Sequence, residues 1–272
     1  QTAAAVVSLT RDAEALPQLT ALVLCEFPFD RRIAAEAMGR IGDPSAVPTI
    51  LKALENVTAD DRFLHHALTF ALIQIADPQA TAPALDSSEP RVRRAGLMAI
   101  DQMDGGGLDP HKPAALLADP DPGVREVASW IIGRRPEWCQ ALAGFLRDRL
   151  ARAVPSAADR AALEAQLAGN AASPAVLDLL ARTAASASAA PFARASALKS
   201  MALAHPRNIP DAWISALVDV LGGADPALAR QAVATTRALA PPAATAKTLG
   251  PPLLALAGRD DFPADGRLEA LA

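Results

Sequence analysis

The sequence has no tyrosine, two cysteines and few aromatic residues, and each shortage excludes a class of structure. Aromatic residues make up only 4% of the 272 residues. Cys25 and Cys139 are too few for a disulfide framework or a four-cysteine metal site. No apolar run approaches the roughly 20 residues that a membrane-spanning helix needs. We therefore predict no metal site and no membrane insertion by this segment.

The chain also lacks a strong excess of charge of either sign. It has 26 basic and 30 acidic residues, a net charge of −4. A charge of this size does not recruit the phosphate backbone of DNA or RNA. We predict no nucleic-acid partner.

Helical patterns interrupted by proline are abundant. Hydrophobic residues make up 51% of the chain, and many of them are alanine, the residue with the best helix propensity. The 23 prolines lie mostly between apolar stretches, where proline begins or ends a helix. These features favour closely packed helices.

One pattern recurs along the chain: a head residue, usually arginine, followed by small or apolar residues three, four, six and seven positions later. This spacing places the side chains on one stripe of an α-helix. The two copies in residues 91–145 are Arg93 with Gly96, Leu97, Ala99 and Ile100, and Arg125 with Ala128, Ser129, Ile131 and Ile132. Further copies begin at Arg31, His65, Arg160, Arg194, near Leu228 or Arg230, and around Arg267. The recurrence predicts an all-α fold, an α-solenoid of about seven to eight helical pairs.

We predict a single solenoid over residues 1–272, with clear repeats in 31–150 and weaker repeats in 151–272. The chain begins without an initiator methionine and stops within a helical pattern, RLEALA. Solenoid ends normally carry polar capping repeats. We therefore expect the chain to be a segment of a larger protein.

Three stretches resemble HEAT repeats, in particular the short bacterial kind related to phycobilisome-lyase repeats. They are RRIAAEAMGRIGDPSAVPTILKAL (31–54), RVRRAGLMAI (91–100) and DPDPGVREVASWIIG (119–133). Tetratricopeptide repeats need a tyrosine and ankyrin repeats need Thr-Pro-Leu-His, and neither is present. The resemblance implies an armadillo-like superhelix that acts as a non-catalytic scaffold for protein binding or bridges domains.

A narrower resemblance implies an alternative function. Residues 91–106 and 116–138 resemble the HEAT segment of planctomycete-type membrane-bound dehydrogenases, which join a sugar-dehydrogenase-like propeller to a haem c module. The chain would then belong to a secreted bacterial oxidoreductase and lie outside the cytoplasm, with catalysis and haem in flanking modules. No Cys-x-x-Cys-His is present, so we expect no cofactor in this segment. A third hypothesis, from the same short HEAT proteins, is a lyase acting on a bilin-type chromophore.

No set of residues predicts catalysis. His65 and His66 are adjacent, so on a helix they point about 100° apart and cannot chelate one metal together. Residues 104–107 are glycine-rich but follow a helix, which favours a connector over a phosphate-binding loop. The arginine heads could bind phosphate. We favour instead a series of hydrogen bonds to aspartates and carbonyl groups of neighbouring turns, such as Asp119 or Asp121.

The candidate site lies on the helix face opposite the buried stripe. In HEAT units the Arg-headed helix is the inner, concave one, and positions +1, +5 and +9 from its head face away from the core. Three consecutive units place Phe70, Met98 and Trp130 at position +5, and position +9 holds Arg40, Gln74, Gln102 and Arg134. Aromatic residues, methionine and arginine are enriched at interface centres.

We therefore predict that these seven residues bind a protein partner or adjoining domains of the same polypeptide. Helical grooves often take up a partner helix or strand. The alternative is that tight curvature packs these side chains against each other or against an adjoining domain.

Overall fold

The fold is that of a computed structural model, which describes residues 2–58, 61–152 and 156–271. Within these ranges the chain forms seventeen α-helices and no β-strand. The predicted all-α helical-repeat fold is confirmed. The chain divides into two compact units, Gln1–Arg135 and Pro136–Ala272. Their combination into one array over 1–272 stays a prediction.

Unit 1 consists of two layers of helices that alternate along the chain. Its helices are α1 (Thr2–Thr10), α2 (Leu16–Val23), α3 (Pro28–Ile41), α4 (Val47–Glu55), α5 (Arg62–Ile75), α6 (Pro78–Thr81), α7 (Pro90–Gln102), α8 (His111–Leu116) and α9 (Pro122–Gly133). Short 3-10 helices lie at Ala13–Ala15, Pro44–Ala46 and Ala82–Asp86. The odd-numbered helices contact one another in sequence from α1 to α9, and the even-numbered helices pack against them.

The repeated stripe forms the interface between these layers. Its buried members are Ala34, Ala35, Ala37 and Met38 on α3, Leu68, Thr69, Ala71 and Leu72 on α5, and Gly96, Leu97, Ala99 and Ile100 on α7. On α9, Ser129 is exposed although the other three positions are buried. Small residues allow close approach: a Cβ on Gly96 would clash with the Cβ of Ala84 in the 3-10 helix that precedes α7. The predicted helix face is therefore the packed one.

Seven of the nine helices that the structure describes in unit 1 have a proline at one of their first two positions or follow a capping aspartate. The side chains of Asp43, Asp61, Asp77 and Asp121 accept hydrogen bonds from backbone N–H groups at the first turns of the following helices. Asp30 lies inside the first turn of α3, because α3 begins at a proline in the favourable N1 position.

Unit 2 repeats the same alternation. Its helices are α10 (Cys139–Ala151), α11 (Ala157–Gly169), α12 (Pro174–Ala185), α13 (Pro191–Ala204), α14 (Asp211–Leu221), α15 (Pro226–Leu239), α16 (Ala243–Ala257) and α17 (Ala264–Leu271), preceded by a 3-10 helix at Pro136–Trp138. The odd-numbered helices form one layer, and the even-numbered helices form the other. No helix in the described part of either unit is long and apolar enough to span a membrane.

The head of the repeat on α15 is Ala229. The sequence placed it near Leu228 or Arg230. The residues that follow Ala229 at the pattern spacing are all buried: Ala232, Val233, Thr235 and Thr236. The two threonine hydroxyls donate to carbonyl groups one turn earlier, which satisfies them in the interior. This copy has alanine as its head and threonine at two of the four following positions. A pattern of arginine followed by apolar residues therefore does not match it.

Candidate partner-binding surface

The head residues of the repeats bond to the ends of neighbouring helices. Arg31 is buried; its Nε donates to the carbonyl of Val23 at 3.0 Å and its Nη2 to the carbonyl of Ala53 at 2.8 Å. These carbonyls belong to the last turns of α2 and α4, where the helix itself provides no donor. In unit 2, Arg194 makes the corresponding bond to the carbonyl of Ala184, at 2.9 Å. These arginines donate hydrogen bonds to carbonyl groups at the ends of helices.

Two head arginines meet at the turn between α8 and α9. Arg93 donates from Nε and Nη2 to the two carboxylate oxygens of Asp119, both at 2.8 Å, and Arg125 donates to the Asp119 carbonyl at 2.7 Å. Burial raises the pKa of Asp119, but hydrogen bonds from Arg93 and the Asp121 N–H outweigh it and hold the pKa below its ordinary value. The predicted hydrogen bonds of the arginine heads to Asp119 and to carbonyl groups are confirmed.

His65 takes the head position on α5. Its Nε2 lies 3.3 Å from the carbonyl of Arg91 on α7. Burial lowers the pKa of His65, and the nearby positive charge of Arg94 lowers it further. The folded state therefore favours the neutral imidazole.

This preference predicts a dependence of stability on pH. Because the unfolded chain binds a proton near the ordinary pKa of about 6.5 and the folded chain only at lower pH, acidification below about pH 6.5 favours unfolding. The loss of stability levels off once the pH is below the pKa of His65 in the folded chain. We expect the melting temperature of wild type to fall more than that of His65→Gln between about pH 7.5 and pH 5. His111→Gln, which replaces an exposed histidine on α8, serves as the control; equal slopes for wild type and His65→Gln would contradict the assignment.

The candidate site is the exposed face of α3, α5, α7 and α9, at positions +1, +5 and +9 from each head. We name these twelve residues the Arg–aromatic surface: Arg32, Glu36, Arg40, His66, Phe70, Gln74, Arg94, Met98, Gln102, Glu126, Trp130 and Arg134. Every one of them is exposed or partly exposed. The structure thus places all seven sequence-predicted residues on the exposed face of successive odd-numbered helices. Their placement on a concave face and their role in binding stay predictions.

The large side chains of this surface are only partly covered. Phe70 is 46% exposed and Trp130 is 45% exposed. The Phe70 ring stacks on His66 with 6.2 Å between ring centres, and the Arg134 guanidinium lies 4.4 Å from the centre of the Trp130 ring. Within unit 1, these contacts leave nearly half of each ring open to solvent.

Sequence reasoning missed an aromatic cluster beside this surface. Phe29 and Phe63 occupy the first turns of α3 and α5 and are 50% and 74% exposed. The Arg32 guanidinium lies 5.6 Å from the Phe29 ring centre and 5.8 Å from the Phe63 ring centre. Arg32 is at position +1, so the pattern could have identified it. The two phenylalanines are two residues before the heads, outside the positions that the pattern defines.

The arginines of the surface differ in their partners. Arg40 pairs with Glu36 on the same helix at 2.7 Å. Among the residues that the structure describes, no carboxylate lies within 4 Å of Arg32, Arg94 or Arg134. Three guanidinium groups therefore have no ion pair within the described chain.

Unit 2 contains a cavity outside this surface. The cavity, of about 690 Å³, lies between the ends of α11 and α13 and the start of α12, and five of its twelve lining residues are alanine, with Arg207 and Asn208 also in the lining. In the described ranges, no three His, Cys, Asp or Glu side chains are grouped closely enough to hold a metal ion. The cavity lining holds one charged side chain, Arg207, whereas the Arg–aromatic surface carries four arginines and two glutamates.

Comparison with known proteins gives one family match. Residues 30–56 match the PBS lyase HEAT-like repeat, which corresponds to α3 and α4. No curated protein matches the chain. The match supports a HEAT-like repeat, whereas nothing in these comparisons supports the narrower resemblance to planctomycete dehydrogenases.

Proposed function

We propose that this chain is a non-catalytic scaffold that binds a protein partner, or an adjoining domain of its own polypeptide, through the Arg–aromatic surface of unit 1. The helical-repeat fold and the HEAT-like match support the general role. The observation on which the choice of surface rests is the unusual exposure of aromatic side chains.

Half of the aromatic residues of this chain are exposed, and all of the exposed ones lie in unit 1. The chain has seven phenylalanines and three tryptophans. The exposed ones are Phe27, Phe29, Phe63, Phe70 and Trp130. Large aromatic side chains in water forgo roughly 1.5–3 kcal/mol each of burial free energy. Patches of exposed apolar surface mark interaction sites.

Unit 2 provides a contrast within the same fold. At position +5 its odd-numbered helices carry Ala165, Lys199 and Ala234, all exposed. The fold therefore does not require large apolar residues at this position. Phe70, Met98 and Trp130 are a feature of unit 1, and contact with a partner is the physical role that we assign to them.

The non-catalytic part of the proposal rests on the bonding of the polar heads. Arg31, Arg93 and Arg125 are engaged with carbonyl groups or Asp119. The alternative, a segment of a secreted oxidoreductase with haem c elsewhere, has no described residue in its favour and depends on flanking sequence. A Cys-x-x-Cys-His motif and a propeller in the same reading frame would establish it.

The proposal is tested by selecting binders from an unbiased library of twelve-residue peptides displayed on phage. The intact chain serves as bait, and binders to the triple variant Phe70→Ala, Met98→Ala, Trp130→Ala are removed. We expect a set of peptides whose affinity falls at least tenfold for Trp130→Ala, because a central aromatic residue supplies about 2 kcal/mol or more at interfaces.

The matched control is Leu203→Ala, which truncates an exposed apolar residue at position +9 of α13 in unit 2. This variant should keep wild-type affinity, and Trp130→Ala should keep the wild-type melting temperature. Two results would argue against the proposed surface. One is a set of peptides that bind Trp130→Ala as tightly as wild type, and the other is a large loss of melting temperature in that variant.

A further inference from the structure

We infer that the Arg–aromatic surface takes an acidic peptide segment with interspersed apolar side chains. This inference rests on the proposed function and specifies the chemistry of the partner. It depends on the charge of the surface, the stacking of its arginines and the apolar residues between them.

The surface is basic although the chain is acidic. Its twelve residues include four arginines and two glutamates, whereas the whole chain has a net charge of −4. Glu36 already pairs with Arg40. Arg32, Arg94 and Arg134 remain without a carboxylate within 4 Å in the described ranges, so carboxylates of a partner would complement them.

Two of these three guanidinium groups are positioned by aromatic rings. Arg32 lies close to the rings of Phe29 and Phe63, and Arg134 lies over Trp130. Stacking stabilises the faces of a guanidinium and leaves its in-plane N–H groups able to form a forked pair with a carboxylate. An arginine held in this way loses less side-chain entropy on binding than a free one. The arrangement suits carboxylates better than neutral acceptors.

The third guanidinium, Arg94, lies against the beginning of α9. A Cβ on Gly123 would be 3.3 Å from its Nη1, so the absence of a side chain at Gly123 leaves room for it. Arg94 is on α7, between the α3 and α9 positions of the other two. The three arginines are therefore distributed across the surface.

The apolar residues define the remaining chemistry of the partner. Phe70 and Met98 are on α5 and α7, between Arg32 on α3 and Arg134 on α9. Packed helices are about 8–10 Å apart, so a segment that crosses from α3 to α9 spans roughly 27 Å, or about eight residues of extended chain. Such a segment needs acidic residues to meet the arginines and apolar residues to meet Phe70, Met98 and Trp130.

A nucleic acid fits these features less well. Its phosphates would meet the exposed carboxylate of Glu126 within the surface, and they could not use the burial of Met98. We therefore assign the surface to an acidic polypeptide.

The experiment examines the composition of the surface-dependent peptides from the phage selection and their affinity for charge variants. We expect enrichment in Asp and Glu together with Leu, Phe, Trp or Met. Synthetic copies of three such peptides, measured by fluorescence anisotropy, should bind Arg32→Gln and Arg134→Gln about tenfold more weakly than wild type. Raising NaCl from 50 mM to 500 mM should weaken peptide binding to wild type more than peptide binding to the double variant Arg32→Gln, Arg134→Gln.

Arg207→Gln in unit 2 removes an exposed arginine outside the surface and should leave the affinity for these peptides unchanged. This inference would be overturned if the peptides that depend on Trp130 were neutral or basic. It would also be overturned if they bound both arginine variants as tightly as wild type. Either result would leave the proposed scaffold function intact. If no peptide depends on the surface, both fail. Displacement of the peptides by a twenty-residue oligothymidylate at equal concentration would show a nucleic-acid site instead and overturn the inference.

Discussion

Replacing Arg93 with alanine is expected to lower the free energy of unfolding of unit 1 by about 3–5 kcal/mol. The Arg93 side chain is 11% exposed and that of Asp119 is 5% exposed, so the variant leaves a buried carboxylate without its bidentate partner. The same guanidinium also bonds to the carbonyls of Ser87 and Ser88. The loss therefore affects the turn before α7 and the turn between α8 and α9.

Urea unfolding followed by circular dichroism measures this effect. The double variant Arg93→Met, Asp119→Leu should be more stable than Arg93→Ala, because it removes both charges and restores buried volume. Arg94→Ala is the matched control: it removes the adjacent arginine, which has no ion pair with any residue that the structure describes, and should change stability by about 0.5 kcal/mol or less. A loss below about 1 kcal/mol in Arg93→Ala would show that water replaces the ion pair.

The same ion pair determines the response to acid. Because the pKa of Asp119 is below its ordinary value, its contribution is complete above the unfolded pKa of about 3.9 and is lost as pH falls through the folded pKa. The stability difference between wild type and Asp119→Asn should accordingly be constant at neutral pH and shrink below about pH 4.

Trp213→Ala is expected to cost about 3–5 kcal/mol in unit 2. Trp213 is fully buried on α14, and its Nε1 donates to the carbonyl of Leu177 on α12 at 3.0 Å. Truncation therefore opens a cavity in the even-numbered layer and leaves a carbonyl without its donor. Trp213→Phe retains most of the volume and should lose less, about 1–3 kcal/mol, mainly from the hydrogen bond.

The measurement is again denaturant unfolding, with Trp130→Ala as the matched tryptophan control. Both variants remove one indole ring, but Trp130 is nearly half exposed in unit 1. Its removal should therefore change the free energy of unfolding by about 1 kcal/mol at most. If the two variants were equally destabilised, the assignment of Trp213 to the core and Trp130 to the surface would be wrong.

The packing of this protein was predictable from sequence because each helix buries its stripe against near neighbours. The spacing after Arg31, His65 and Arg93 therefore identified buried residues from a window of eight positions. The exposed row of Phe70, Met98 and Trp130 followed from the same geometry, since it lies opposite that stripe. Local periodicity is sufficient wherever contacts are local.

Features that depend on individual side-chain contacts could not be predicted in this way. The cluster of Phe29, Arg32 and Phe63 forms between two helices whose sequences are separated by more than twenty residues, and no periodicity links them. The acceptor carbonyls of Arg31 are likewise invisible in the sequence, because every residue has one. The unit border at Arg135 and Pro136 coincides with no change in the pattern, which weakens only after residue 150.

The bonds of the head residues have a consequence for how such a chain can change its length. Arg31 on α3 bonds to the end of α4, His65 on α5 contacts the Arg91 carbonyl on α7, and Arg93 on α7 bonds to the turn after α8. These three heads thus reach forward along the chain, to a helix or turn that precedes or contains the next head, whereas Arg194 bonds back to the end of α12. Tandem duplication of one complete pair would create a new acceptor and a new donor together, so the gene could grow by whole units without leaving an unmatched polar group at the junction.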